Sequence, residues 1–184
     1  MEPGLPRSRV PRREAEGPPG PRRGAGGEFA VNFACDHMLG TLAKWLRFLG
    51  HDVVYPGPLK DDELKAIAER EGRTLLTRDR ELSGRAAGSL YIASDDLDEQ
   101  LVQVLRQFQL PGDLSMTRCS LCNTPLRQVL KADVRGSVPD GVFERQEEFW
   151  RCDACGRFYW QGTHWNNMGA RMQQIRAKAG SPPE

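Results

Sequence analysis

Aspartates follow several of the apolar runs in this chain of 184 residues. Asp36 closes FAVNFAC, Asp79 follows RTLLT, and Asp95 and Asp96 follow SLYIAS. If these runs are parallel strands, their carboxyl ends lie on one edge of the sheet, where open α/β folds bind ligands. Carboxylates that converge there repel one another unless they are protonated or bridged, and Mg²⁺ or Mn²⁺ prefers oxygen ligands of this kind. The pattern therefore predicts a metal-dependent enzyme.

Four of the five cysteines form two Cys-x-x-Cys pairs, which are Cys119 with Cys122 and Cys152 with Cys155. Two such pairs supply four thiolates, the ligand set of a structural zinc ion, and Asn123 and Gly156 suit the tight turns that follow. A thioredoxin-like context for a redox pair is absent. The 29 residues between the pairs predict a zinc ribbon with an extended hairpin, and Cys35 is expected in the core.

Apolar runs and amphipathic stretches alternate four times from Phe29 to Phe108, which predicts a parallel α/β sheet. The first strand is expected to run from Phe29 to Cys35, and Ser94 or Asp95 is expected to cap the helix that follows SLYIAS. Pro111 and Gly112 then break the pattern. The cysteine-bearing segment follows, and a last helix is expected around Met168, Met172 and Ile175.

Composition limits the remaining possibilities. Residues 1–27 contain 6 Pro, 6 Gly and 6 Arg, so we expect a disordered basic tail. The chain has no apolar leader and no apolar run of membrane-spanning length, which predicts a cytoplasmic or nuclear protein without a membrane partner. The net charge of +1 gives no support for nucleic-acid binding by itself.

Other enzymes that use an aspartate after the first strand fit less well. A haloacid-dehalogenase-type phosphotransferase needs a second aspartate where this chain has Met38, and a dinucleotide-binding fold needs a glycine-rich first turn. A receiver domain needs an earlier acidic pair that is not evident. Taken singly, each aspartate also fits a plain role as a helix cap, so the argument rests on the set.

The motifs together resemble a known family. CDHMLGTLAKWLRFLGHDVVY, DDEL, LLTRDREL, SDDLDEQL, the Cys-x-x-Cys pair and FWRCDACGRFYWQGTHW occur in family order over about residues 29 to 170. They resemble the Mut-seven C-terminal ribonuclease domain, the carboxyl-terminal domain of Mut-seven exonuclease homologues, which has a PIN-like fold and a zinc ribbon. We expect this domain alone, divided into a tail, a PIN-like nuclease domain, a zinc ribbon and a C-terminal helix with a frayed end, at residues 1–27, 28–112, 113–166 and 167–184.

The resemblance also implies roles for the acidic residues. Asp36 becomes the first and Asp79 the central ligand of a catalytic Mg²⁺ or Mn²⁺, and Asp95 or Asp96 completes the site. The second acid of PIN domains is usually a glutamate within a helix, whereas this chain offers Asp61, Asp62 and Glu63 at a helix start, of which Asp62 is taken as the candidate. The reaction implied is hydrolysis of RNA phosphodiester bonds.

Basic and aromatic residues are candidates for nucleic-acid contacts. Lys44, Arg47, Arg78 and Arg80 are predicted to contact the phosphate backbone, with solvated surface as the alternative. Aromatic residues flank the second knuckle and either stack on single-stranded bases or dock the ribbon onto the α/β domain; they are Phe149, Trp150, Phe158, Tyr159, Trp160 and Trp165.

The sequence thus predicts a metal-dependent ribonuclease, with single-stranded RNA as the expected substrate. The alternatives are a non-catalytic nucleic-acid or protein adaptor with the same fold, and a toxin-like tRNase with a cognate inhibitor. The oligomeric state is not predicted.

Overall fold

The computed structural model describes residues 22–23, 29–57 and 59–180. Most of the predicted tail lies outside these ranges. Arg22–Arg23 (β1) pairs antiparallel with Phe29–Ala30 (β2). The expected first strand is therefore divided, because β2 pairs with β1 while Phe33–Cys35 (β3) enters the main sheet.

The main sheet has four parallel strands in the order β4-β3-β5-β6. Its other members are Val53–Val54 (β4), Thr74–Thr77 (β5) and Leu90–Tyr91 (β6). The chain adds β4 on one side of β3 and then crosses to add β5 on the other side. The strand order therefore reverses between β3 and β5, which is where open α/β sheets form a ligand crevice at their carboxyl ends.

Helices cover both faces of this sheet. Gly40–Phe48 (α1) follows a 3₁₀ turn at His37–Leu39, and Asp61–Glu71 (α2), Arg80–Arg85 (α3) and Leu97–Phe108 (α4) follow the later strands. Phe33 and Cys35 point into a core formed with α1 and α4, whereas Ala34 points into a second core with α2 and α3. This alternation is the period-two pattern of a strand that is buried on both faces, and it confirms the predicted α/β class.

A glycine with positive φ follows each of two helices that cover the main sheet. Gly50 follows α1 with φ +87°, and Gly72 follows α2 with φ +60°. Both lie in the left-handed region that favours glycine over residues with a Cβ atom. The start of α4 differs from the prediction, because its cap is Asp96 and not Ser94 or Asp95. The Asp96 carboxylate accepts from the Glu99 amide, and the Ser94 hydroxyl accepts from the Asp96 amide.

The cysteine-bearing segment forms a three-stranded antiparallel sheet in the order β7-β8-β9, with strands Leu126–Val129 (β7), Phe149–Cys152 (β8) and Phe158–Tyr159 (β9). The link from β7 to β8 is not the extended hairpin that the spacing predicted. It contains a 3₁₀ turn at Lys131–Val134 and the helix Asp140–Arg145 (α5). These turns exist because Val134 and Val138 bury their side chains against Phe149, which gives the small sheet a core of its own.

The last helix, Thr163–Ala179 (α6), packs on α4. It begins before the predicted boundary at residue 167, and Met172, Ile175 and Ala179 enter the main core. The small sheet is thus attached to the α/β domain on both sides of its sequence. None of the described helices is both long and apolar enough to cross a lipid bilayer.

Candidate functional site

Asp36 lies at the carboxyl end of β3, next to the end of β5. Its side chain is only 6% exposed. The Met38 amide donates to Oδ1 at 2.8 Å, while the Thr77 hydroxyl and the Arg78 amide donate to Oδ2 at 2.5 and 2.9 Å. A carboxylate has about four lone-pair positions. Three are used within the protein, and one on Oδ1 remains for a ligand.

Asp79 is connected to Asp36 through Thr77. The Asp79 amide donates to the Thr77 hydroxyl at 2.9 Å, and that same hydroxyl donates to Asp36. The Asp79 amide nitrogen is therefore only two hydrogen bonds from the Asp36 carboxylate. Asp79 also caps α3, since its Oδ1 accepts from the Leu82 amide at 2.9 Å. Its side chain is exposed, and Oδ2 accepts no hydrogen bond from the residues that the structure describes.

The other predicted acids are less closely connected to this pair. Asp95 and Asp96 are exposed on the loop after β6, and Asp96 is used as the α4 cap. Asp62 accepts from Arg85 at 3.2 Å, and Arg85 also pairs with Asp61 at 3.6 Å. Exposed ion pairs of this kind add little stability, but they occupy the carboxylate that the resemblance offered as the second acid.

The four cysteines form the one group in the described part of the chain that brings three or more possible metal ligands together. Their sulfur atoms all lie within 4.8 Å of one another. Cys119 and Cys155 are separated by 3.6 Å, and Cys122 and Cys152 by 3.4 Å. A tetrahedral zinc ion with bonds of about 2.3 Å requires sulfur separations of about 3.8 Å, so this group can hold zinc. The predicted carboxylates do not form a preassembled group of this kind.

The two knuckles have the same backbone turn. The Asn123 amide donates to the Cys119 carbonyl at 2.9 Å, and the Gly156 amide donates to the Cys152 carbonyl at 2.8 Å. Asn123 and Gly156 both have positive φ, at 68° and 74°. Asparagine and glycine are the residues that adopt this conformation most readily, so their predicted place in the turns is confirmed.

Groups around the cysteines tune their ionisation. Burial raises the pKa of the Cys152 thiol to about 12, whereas hydrogen bonding with Thr124 lowers the pKa of Cys122 to about 6. The Tyr159 hydroxyl lies 3.0 Å from the sulfur of Cys119, where it can support a thiolate from outside the ligand shell. Metal binding must displace the thiol protons and is therefore weakened by acid.

Arg47 does not fit the predicted phosphate contact. It is 4% exposed, and its guanidinium donates to the Val53 carbonyl and to the carbonyls of Ser120 and Leu121. Arg47 thus joins α1, β4 and the first knuckle. Its side chain lies on the buried side of α1. The sequence pattern did not distinguish this buried position from the exposed position of Lys44.

The other predicted basic residues have different surroundings. Lys44 is exposed and makes no ion pair with a described residue. Arg78 is half-buried, and its backbone holds Asp36. Arg80 is exposed with its guanidinium 5.1 Å above the ring centre of Tyr91, a cation–π contact that places a positive charge beside the end of β6.

The sequence profile of the Mut7-C RNAse domain matches residues 31–172. The match covers more than half of the chain and includes both the parallel sheet and the four cysteines. The chain belongs to the Mut7-C RNAse domain family. No curated protein and no solved structure matches it. The family description assigns this Mut7-C RNAse domain to the ribonucleases, and the binding of RNA follows from that class.

Thr77 is the residue of this Mut7-C RNAse domain that sequence reasoning missed. It is fully buried, and its hydroxyl connects the two aspartates at the reversal of strand order. The signal was present, because a strand that ends in Thr-x-Asp places the threonine and the aspartate on the same side of the chain. Only the aspartate had been assigned a role.

Proposed function

We propose that this Mut7-C RNAse domain hydrolyses RNA phosphodiester bonds with a divalent cation held by Asp36 and Asp79. The observation that carries the proposal is the Thr77 hydroxyl, which hydrogen bonds both residues at the carboxyl end of the β3–β5 pair. Family membership gives the class of reaction. The strand order supports the proposed position, because this edge is where open α/β sheets usually bind their ligands.

The donor set fits Mg²⁺ or Mn²⁺ bound with substrate. Asp36 has one open lone pair on Oδ1, and Oδ2 of Asp79 faces no hydrogen-bond donor of the described chain. Mg²⁺ keeps several waters and is usually held by one or two carboxylates together with substrate phosphates. A preassembled cluster of three carboxylates is therefore not required. Asp96 or Asp95 is the proposed third carboxylate, and Asp62 is the weakest candidate because Arg85 pairs with it.

Each residue contributes in a distinct way. The three hydrogen bonds to Asp36 fix its orientation, so its remaining lone pair has a fixed direction. In this proposal Asp79 orients the attacking water or accepts its proton, and Arg80 and Lys44 supply positive charge for the phosphates. When bound, the cation lowers the pKa of a coordinated water and offsets negative charge on the phosphate.

The zinc ion proposed for the four cysteines has a structural role. All four positions of a tetrahedral site are filled by thiolates, which leaves no open position for a substrate. Zinc therefore holds the two knuckles together, and the first knuckle in turn contacts β4 of the nuclease sheet through Arg47.

A non-catalytic RNA-binding or protein-binding adaptor is the second candidate. One observation favours this candidate. Among the described residues, the four cysteines form a group that could hold a metal ion, whereas the aspartates do not. A cleavage assay on labelled single-stranded RNA with Mg²⁺ or Mn²⁺ distinguishes the two. The decisive variant is Asp79→Asn, because asparagine caps helices as well as aspartate and the change removes only the charge.

We expect Asp79→Asn to lower the cleavage rate by at least about 100-fold, in the range found when an electrostatic contributor is removed from an active site. Asp140→Asn, at the exposed start of α5, is the matched control and should cleave like the wild type. Equal cleavage by the wild type and Asp79→Asn would refute the proposed site. RNA binding without cleavage in either cation would establish the adaptor.

A further inference from the structure

A groove lined by aromatic side chains lies between α1, β9 and the start of α6. Its volume is about 220 Å³, and its lining includes Phe48, Met116, Phe158, Trp160, His164 and Trp165. This is smaller than a typical small-molecule pocket of about 300–1,000 Å³. Most of the lining rings are half-buried, so part of each face is open. A groove of this size can take one flat ring at a time, and the ring can stack on the aromatic side chains of the lining.

The rings of the groove are held in place by contacts with one another and with the core of the small sheet. Phe48 and Trp165 meet edge to face with ring centres 6.5 Å apart. Phe158 and Trp160 pack against the small core that contains Phe149. The predicted docking of the aromatic residues onto the α/β domain is thus only partly correct. Several of these aromatic side chains pack in the core of the small sheet and also line the groove.

The charges around the groove favour an anionic ligand. The segment 156–180, which contains β9 and α6, has no aspartate or glutamate. Arg151 lies over the Phe158 ring at 5.6 Å, and Arg157 is exposed beside β9. Neither guanidinium forms an ion pair with a described residue. Arginines beside aromatic faces are an arrangement that binds the backbone and bases of single-stranded nucleic acid.

Helix α1 connects the groove to the proposed active site. It begins beside Asp36 and ends at Phe48, over nine residues or about 13 Å at 1.5 Å per residue. Lys44 lies one turn before Phe48 on the same helix face, since residues four apart are neighbours on a helix. Its exposed ammonium group is therefore between the groove and the carboxylates. A strand of RNA that occupies both would pass this charge.

We infer that the groove binds unpaired bases of the RNA whose backbone is cleaved at Asp36 and Asp79. The inference rests on the proposed ribonuclease function and adds a subsite to it. Stacking is sequence-tolerant because every base has a π face. Duplex RNA presents only its edges to a groove of this size, so the subsite selects single-stranded segments.

The test measures RNA binding without cleavage, in protein that carries Asp79→Asn. Fluorescence anisotropy with a labelled single-stranded oligonucleotide and with the matching duplex gives the two dissociation constants. Trp165→Leu removes the π face and keeps an apolar side chain against Phe48. Trp165→Phe keeps an aromatic face, and Trp150→Leu alters a half-buried tryptophan that does not line the groove.

We expect Trp165→Leu to weaken single-strand binding by about 5- to 150-fold, which corresponds to one stacked base. Trp165→Phe and Trp150→Leu should stay close to the parent, and duplex binding should not change. Arg157→Gln tests the same groove from an exposed position and should reduce the salt dependence of single-strand binding by about one phosphate contact. Melting temperature and zinc content report whether each variant folds.

The outcomes separate this inference from the ribonuclease proposal. Unchanged single-strand binding in both Trp165→Leu and Arg157→Gln would overturn the inference and leave a protein ligand as the occupant. Equal weakening of single-strand and duplex binding would overturn it as well. A wild-type protein that cleaves no RNA, but loses single-strand binding through Trp165→Leu, would refute the cleavage site and retain the groove.

Discussion

The hydroxyl of Thr77 donates to Oδ2 of Asp36 across the β3–β5 pair and accepts from the amide of Asp79. One buried side chain thus orients the first predicted acid and the backbone of the second. This relationship connects two strand ends at the proposed site, although the aspartates are 43 positions apart in the chain. We therefore expect the proposed site to be sensitive to changes at Thr77.

Thr77→Val removes the hydroxyl and keeps the shape of the side chain. Asp36 then loses a donor, and the Asp79 amide loses an acceptor, so we expect the free energy of unfolding to fall by about 1–3 kcal/mol. RNA cleavage should fall further than stability explains. Urea unfolding and initial cleavage rates measure the two effects. Thr77→Ser retains the hydroxyl and should preserve most of the activity, and a similar loss in both variants would contradict the role of the hydroxyl.

Lys44 and Arg47 lie three positions apart on α1 and should behave oppositely. Lys44→Gln should leave the melting temperature unchanged and lower the salt dependence of RNA binding by about one phosphate. Arg47→Gln should lower the free energy of unfolding by about 2–4 kcal/mol, because it leaves the buried carbonyl of Val53 and the knuckle carbonyls without their donors. Salt titrations of binding and urea unfolding of both variants make the comparison. A stable Arg47→Gln protein with weakened RNA binding would reverse our assignment.

Asn123 couples the first knuckle to the edge strand of the nuclease sheet. Its side-chain oxygen accepts from the Val53 backbone amide at 3.0 Å, and its side-chain nitrogen donates to the Asp52 carboxylate at 2.8 Å. Asn123→Gly keeps the positive φ but removes both bonds, whereas Gly156→Ala in the second knuckle mainly adds backbone strain of about 1–2 kcal/mol. We expect hydrogen exchange at Val53 to accelerate in Asn123→Gly and not in Gly156→Ala. Zinc removal with a chelator should accelerate it as well.

His51 predicts a pH dependence of stability. It is 4% exposed, and burial, followed by the charge of Arg118, lowers its pKa from 6.5 to about 4. The unfolded chain therefore binds more protons than the folded protein between these values, and stability falls as the pH falls through this window. Between pH 7 and pH 5 the loss is about 2 kcal/mol. Urea unfolding at both pH values should show this loss in the wild type and a smaller one in His51→Gln, which keeps an acceptor for the Val31 amide.

The elements around the site could be predicted because their signals are local. Alternating apolar runs, the glycines after α1 and α2, and the two Cys-x-x-Cys pairs each depend on residues within one or two turns of chain. The resemblance then implied that Asp36 is the first metal ligand and Asp79 the central one. The helices between β7 and β8 escaped prediction because they are stabilised by burial of Val134 and Val138 against Phe149, a partner that lies distant in sequence.

What the sequence determined by itself is the set of chemical groups and the edge to which they belong. The carboxyl ends of parallel strands lie at the same edge of a sheet, so the aspartates that follow them had to lie on one side of the molecule. Only the tertiary structure decided which groups face each other. It buried Arg47 under the first knuckle, left Lys44 in solvent, and made Thr77 the contact between two acids, because each outcome depends on side-chain packing between segments that the chain order does not specify.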